Sequence, residues 1–462
     1  MRAEAAPTPL DARRGQRGIG ITLLLLIAAS IVPVAAVHTL AAPVPFTAAV
    51  VAGYAVQLAI LVLMALHWRI QPRDPWLGIA LVYGILQALT LFSVCLRFGD
   101  YDPMDLVGAI AGMICIIAYA GLAQSLRPSE RELNTFLVGF LWLTLVAIVV
   151  NVVLNGTDIP QILGSGSSYQ FDFSSFFANR NQFGYFLFLG LVAHVLHLHG
   201  RRLRVHNITL FALQIASLLL TMSRGSIAAS LIFLTAFAVL RFRVRARYLL
   251  LLLGAGLASA VLVIRTGAGD VLRDLLLRPD AALAGRDVIW SLGLDIWREN
   301  GILLGGGGFR GVAIAQARGM EPSEFHSFFV ETFVRGGLLE LVLLLGIVAL
   351  VWVRLARSPL DRGRRHVLCA SSAGVAGLSL VESVSLFSAG LVGTIFTIFV
   401  ISLPLLYAGL PPAPEGERRT PGSAGSPVTR SAGRPARRRR RSPGVPDAEV
   451  CRPIAVAREI VR

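Results

Sequence analysis

The chain has no lysine. All 43 basic residues among its 462 are arginine, set against 27 acidic residues, for a formal charge of +16. Charge of either sign is scarce: 15% of residues are charged, where a soluble chain carries about 25%. That shortage excludes an ordinary soluble enzyme and a disordered chain. Cysteine is nearly missing too. Cys95, Cys115, Cys369 and Cys451 are widely separated and form no C-x-x-C pair, so they offer neither a disulfide framework nor a metal site. A strongly basic chain often binds nucleic acid. Here the placement of arginine relative to apolar runs carries more meaning than the total, and no nucleic-acid partner is expected.

What abounds is apolar length. Hydrophobic residues make up 55% of the chain and the mean hydropathy is +0.68. A membrane span needs about 20 mostly apolar residues. Such runs fall at 18–37, 44–66, 76–95, 104–123, 134–154, 182–198, 207–223, 225–240, 248–264, 328–353, 367–386 and 389–408. The pattern predicts an all-α polytopic membrane protein of about twelve transmembrane helices. Only Ser223, Arg224 and Gly225 separate the seventh run from the eighth. Basic residues precede the first run, but many further runs follow without a convincing cleavage site, so it reads as an anchoring helix.

Arginine placement sets the orientation. With residues 1–17 in the cytoplasm, 32 of the 43 arginines fall on inside segments, densely in the short loops 199–206 and 241–247. That is the positive-inside pattern, and it predicts both termini in the cytoplasm. The stretch 409–462 is rich in Pro, Gly, Ser and Arg, including Arg437 to Arg441. It cannot bury a core and reads as a disordered tail. The arginine run could touch anionic lipid; a solvated tail is the plainer alternative.

Two outer connections are long, 155–181 and 265–327. Long connections that neither span nor turn tightly usually have a task. The second holds seven arginines, against the positive-inside bias, although eight acidic residues in the same loop could simply pair with them. Three positions stand out. Arg224 lies at the outer end of two apolar runs, where a charge needs a cavity or a partner. Arg286 opens a stretch in which Trp290, Gly293 or Leu294, and Trp297 share a helical face, predicting an amphipathic helix along the membrane surface. His326 precedes the tenth run and is the sole histidine of that loop. The glycines of Leu303 to Gly311 follow no strand, so a dinucleotide site is the wrong reading; close backbone approach fits better.

In this order, Asn179-Arg180-Asn181, Ser223-Arg224-Gly225, Arg286 with Trp290, the run Leu304 to Phe309, and His326 followed by Gly336-Gly337 resemble the O-antigen ligase and polymerase family of integral membrane glycosyltransferases. The resemblance covers roughly residues 170–350 and the general plan of helices. It implies a glycosyltransferase C-like fold in the bacterial inner membrane. It implies transfer of a glycan from an undecaprenyl-diphosphate donor to a hydroxyl of a glycan, lipid A–core or other acceptor at the outer face, with no metal and no other cofactor. Carried over by motif, Arg224 and Arg286 would bind the donor diphosphate and His326 would act on the acceptor hydroxyl. Asp172, Arg180, Asn181 and Arg310 are further candidates for substrate contact. Ser327 stands where the family commonly has Asn. Arg335 stands where it often has Glu, reversing a charge and offering a further diphosphate contact.

The chemistry suits these residue types. Breaking a sugar–diphosphate bond builds negative charge on the leaving group, and arginine's planar fork matches phosphate oxygens at any relevant pH. An acceptor hydroxyl is a weak nucleophile and gains from a base titrating near neutrality, as imidazole does. Direct displacement would invert the anomeric centre. A repeat-unit polymerase would use the same chemistry on another acceptor. Twelve spans also suit a transporter or flippase, but the short 199–206 connection and the scarcity of mid-span charges other than Glu382 argue against that plan. A scaffold of a polysaccharide-assembly complex would not need the two arginines and the histidine together.

Overall fold

A computed structural model describes residues 18–39, 44–68, 75–99, 103–159, 173–201, 203–242, 286–305 and 325–410. All belong to one compact unit, Met1–Pro412. The segment 1–17, the expected ninth span at 248–264, Asp172, Arg310 and the tail from 411 lie outside the described residues.

Those residues form helices and no strand. In chain order they are α1 (Ile19–His38), α2 (Phe46–Trp68), α3 (Pro75–Phe98), α4 (Pro103–Cys115, continued by Ile116–Leu122 and Ala123–Ser125) and α5 (Glu130–Asn155). Next are α6 (Arg180–Leu198), α7 (Val205–Leu220), α8 (Arg224–Phe242) and α9 (Arg286–Asn300). Last are α10 (Phe328–Arg357), α11 (Arg362–Val381) and α12 (Leu391–Thr397, Ile398–Ser402 and Leu403–Ala408). Among the described residues, eight helices are long and apolar enough to cross a membrane, and Val51–His67 and Val205–Leu220 are shorter apolar helices. This is a polytopic membrane protein.

Local sequence explains the helix starts. Ser129, Asn179 and Asp361 each accept a backbone N–H three residues on, capping α5, α6 and α11. Small residues let helices approach closely. A Cβ on Gly20 would lie 2.4 Å from the Glu132 carbonyl oxygen, and one on Gly374 would lie 2.8 Å from that of Ala229. Leu66, Ile85 and Trp142 point outward at 70%, 61% and 63% exposure, giving the bundle an apolar exterior. The most buried spans, α12 at 89% and α6 at 72%, form the centre. The π-helical turns of α4 and α12 meet there, and the Ser402 hydroxyl donates to the Tyr119 carbonyl at 2.8 Å.

Helix ends gather at two opposite ends of the bundle. At one, Arg364 pairs with Glu130 at 2.6 Å, His199 meets Asp361 at 2.7 Å, and Arg201 donates to Asn134 at 2.6 Å. Arg127, Arg131, Arg357 and Arg365 belong to the same end. The other end holds Glu382, and the candidate site is built there.

Two expectations need correction. The run 367–386 is not one span: α11 stops at Val381, where Glu382 turns extended with its N–H still bonded to the Leu378 carbonyl. Arg224, expected at the outer end of two apolar runs, is the first residue of α8. The other correction is that α9 exists, but its apolar face packs against protein. Ile289, Ile296, Phe325, Val330 and Val334 form a small core of their own, and Trp297 stacks on Phe333 with centroids 4.5 Å apart. Gly293 permits this contact, since a Cβ there would lie 2.4 Å from a Val330 methyl.

The same docking explains two of the glycines. At Gly337 α10 breaks, with φ 69° and ψ −164°, a region open essentially to glycine alone. The break deprives the Leu338 and Leu339 N–H groups of helical acceptors, and they donate instead to the carbonyls of Ile302 and Leu303 at 3.0 and 3.1 Å. A Cβ on Gly337 would lie 2.4 Å from the Gly305 nitrogen. Gly337→Ala is therefore expected to undock the end of α9 and lower the thermal unfolding midpoint in detergent, with about 1–3 kcal/mol of backbone strain. An unchanged midpoint would show that the break does not depend on glycine.

Candidate functional site

Glu382 is the hub. It is 2% exposed, so its charge requires partners. Arg286, the first residue of α9, donates from one terminal nitrogen to Glu382 Oε1 at 2.8 Å and from the other to the Val381 carbonyl at 2.6 Å. The Tyr185 hydroxyl of α6 donates to Glu382 Oε2 at 2.7 Å. His326 Nδ1 lies 3.9 Å from the same oxygen. Gly225 of α8 packs so closely that a Cβ would lie 3.1 Å from Oε1. Its chain neighbour Arg224 therefore opens α8 beside the carboxylate. Residues from α6, α8, α9, α11 and the loop before α10 converge on one group.

The loop that carries His326 is held from several directions. The Phe325 N–H donates to Glu331 Oε2 at 3.2 Å, and the Trp290 indole donates to the Phe325 carbonyl at 3.0 Å. The Phe328 N–H donates to the Glu382 carbonyl at 3.1 Å. Between these anchors His326 has φ 50°, rare for a residue with a side chain. Ser175, Met222 and Phe387 share that conformation with φ of 56°, 51° and 55°, and all lie in connections at the Glu382 end. Strain of this kind persists only where the surroundings over-determine it.

The electrostatics leave His326 uncharged at neutrality. Burial is the largest influence and holds the imidazole below its ordinary range; Glu382 works against that and Arg286 with it. A neutral ring can accept a proton. The adjacent carboxylate then stabilises the imidazolium. Arg286 uses two of its N–H groups to hold its place and retains others for a ligand.

The other candidates are placed as follows. Arg180 and Asn181 begin α6 at this end, and Asn181 lies four residues before Tyr185, on the same helical face. Asn179 is the cap of α6. Arg335 is not with the cluster: its Nε donates to Glu340 Oε1 at 3.0 Å, and Glu340 is fully buried. Beside the cluster, an apolar cavity of about 310 Å³ begins at Phe328 and Val384 and runs between α10 and α11 to Trp352 and Cys369.

Sequence reasoning missed Glu382, Tyr185 and Glu331 as site residues. Glu382 had a signal, a lone acid within apolar runs, and such residues are functional by default. Tyr185 had none among the many aromatics of α6. No family model matches this chain, and no curated protein matches it.

Proposed function

We propose that this chain is a membrane glycosyltransferase that moves a glycan from an undecaprenyl-diphosphate donor to an acceptor hydroxyl at the extracytoplasmic face. In this reading the chain crosses the bacterial inner membrane twelve times, with the Glu382 end outside and the arginine-rich end inside. The observation that carries it is the meeting of Arg286 and His326 on buried Glu382, beside Arg224, at one end of an apolar bundle. The arginine-rich opposite end supports the orientation.

The first isoprene units of the donor tail enter the apolar cavity between α10 and α11, the rest of the tail stays in lipid, and the diphosphate faces Arg224 and Arg286. The acceptor hydroxyl gives its proton to His326 Nε2, the ring nitrogen away from Glu382. Its oxygen bonds to the anomeric carbon from the face opposite the diphosphate. The bond from that carbon to the phosphate oxygen breaks, and undecaprenyl diphosphate leaves with the electron pair. The guanidinium groups offset the charge that develops on it, worth several kcal/mol in a water-poor site. Arg180 and Asn181 are placed to meet the sugar at the rim. Ligase and repeat-unit polymerase differ only in the acceptor.

The test is reconstitution of the purified chain in lipid nanodiscs with an undecaprenyl-diphosphate glycan, EDTA and a panel of hydroxyl acceptors. Acceptor-dependent release of undecaprenyl diphosphate is expected. Failure of every acceptor to release it would overturn the reading.

The pH profile follows from the site. Transfer needs neutral His326, whose pKa lies below its ordinary value. Activity should therefore hold through neutrality and fall on the acid side, with a midpoint below pH about 6.5. The Glu382 charge favours the imidazolium, so Glu382→Gln should move that midpoint lower still. An acid limb above neutrality, or one unmoved in Glu382→Gln, would contradict the assignment of His326 as base.

A further inference from the structure

A second cavity lies at the same end of the bundle, among α3, α4, α10 and the α11–α12 loop, with a volume of about 70 Å³. A cavity needs about 10–15 Å³ of such volume to hold one water, so this one has room for several waters or a polar ligand group. Its polar lining comes from Tyr83, Gln87, Thr90, Asp105, Arg335 and Ser388. Tyr83, Gln87 and Thr90 sit four and three residues apart, so they form one stripe along an otherwise apolar helix.

Gln87 is the telling member. It is 8% exposed, and its Nε2 has no hydrogen-bond partner among the described residues. A buried amide without a partner loses about 1–3 kcal/mol, so a ligand group that accepts from it would recover that loss. The charges narrow the ligand class. Arg335 is already paired with Glu340, while Asp105 adds a carboxylate to the lining. The cavity therefore does not suit a phosphate or another anion. It offers an amide donor, a carboxylate and a serine hydroxyl beside apolar Leu91, Val94 and Ala109. A pyranose presents that mixture: hydroxyls that both donate and accept, and a face of C–H groups.

Two contacts tie the cavity to the cluster on Glu382. Phe387 and Ser388 line it, and the chain between Glu382 and Phe387 spans at most about 17 Å. The Thr90 hydroxyl is 3.2 Å from the Leu304 carbonyl, on the segment that follows α9 and so continues from Arg286.

We infer that this cavity binds one neutral sugar unit of the acceptor, holding it while a neighbouring hydroxyl of the same glycan reaches His326. The inference rests on the transferase reading for its role but not for its ligand class. Binding is tested on the full chain in nanodiscs by saturation-transfer NMR with a panel of neutral methyl glycosides, and again with inorganic phosphate as competitor. At least one glycoside should bind, and phosphate should not displace it. Gln87→Leu should weaken that binding at least tenfold and, because it removes an unsatisfied amide, should leave the thermal midpoint unchanged or raise it. In turnover the same variant should raise the acceptor KM and not the donor KM. Three results would overturn the inference: no glycoside binds, bound glycoside ignores both Gln87→Leu and Asp105→Asn, or Gln87→Leu raises the donor KM instead. Gln87-dependent glycoside binding without any transfer would leave the site standing and remove the transferase reading. Transfer with an unaltered acceptor KM in Gln87→Leu would do the reverse.

Discussion

Replacing His326 with alanine is expected to lower glycan transfer by about 10²–10⁴-fold, the usual contribution of a positioned general base. The protein should still insert and fold. His326 is not part of the apolar core, and its loop is held by the bonds of Phe325, Phe328 and Glu331. Histidine is several-fold enriched over alanine at a left-handed φ such as 50°, a difference of about 1 kcal/mol, so the change should act on rate more than on stability. The donor KM should change little, because the diphosphate is held by the arginines. Transfer in His326→Ala within threefold of wild type would remove the base from the mechanism. A matching fall in thermal midpoint and transfer would make the histidine a structural residue.

The second large effect belongs to Glu382. Glu382→Leu removes the acceptor of Arg286 and Tyr185 together. Breaking a buried ion pair from one side typically costs about 3–5 kcal/mol, and the low end fits because the Arg286 side chain is 21% exposed. Transfer should fall by about 10²-fold or more, since a misplacement near 1 Å at a reacting site has that effect. The double change Arg286→Leu with Glu382→Leu separates stability from catalysis. Two apolar groups replace a charged pair without leaving either charge stranded, so stability should largely return. Activity should not. Unfolding midpoints in detergent, read beside transfer rates for both single variants and the double, decide the matter. Recovery of both quantities in the double variant would show the pair to be structural only.

Much of the architecture was legible from residue order. Apolar length and arginine placement anticipate the helices at 19–38, 46–68, 130–155 and 328–357 closely, because a chain in lipid must satisfy its backbone within each segment. Arg286 and His326 were legible as a pair of unusual residues outside the spans. Their shared partner was not. Glu382 lies 56 residues from His326, and nothing in local pattern says that an apolar run ends early at Val381. That ending is a tertiary event: the Glu382 carbonyl receives Phe328 N–H and its side chain receives Arg286 and Tyr185. The α9 face shows the same limit from the other side. Trp290 and Trp297 at helical spacing are equally suited to lipid and to protein, and contacts distant in sequence, such as Gly293 against Val330 and Trp297 on Phe333, decide for protein. Arg335 looked like a spare cation because its partner, Glu340, lies across the break at Gly337.

The most direct measurement is the anomeric configuration of the product. The donor glycan is labelled with carbon-13 at the sugar attached to diphosphate and incubated with the protein in nanodiscs, an acceptor and EDTA. The expected spectrum shows a new glycosidic carbon of opposite configuration, appearing in step with free undecaprenyl diphosphate and absent with His326→Ala. A product of retained configuration, or a donor signal that never changes with any acceptor, would contradict a single displacement carried out by His326, Arg224 and Arg286 around Glu382.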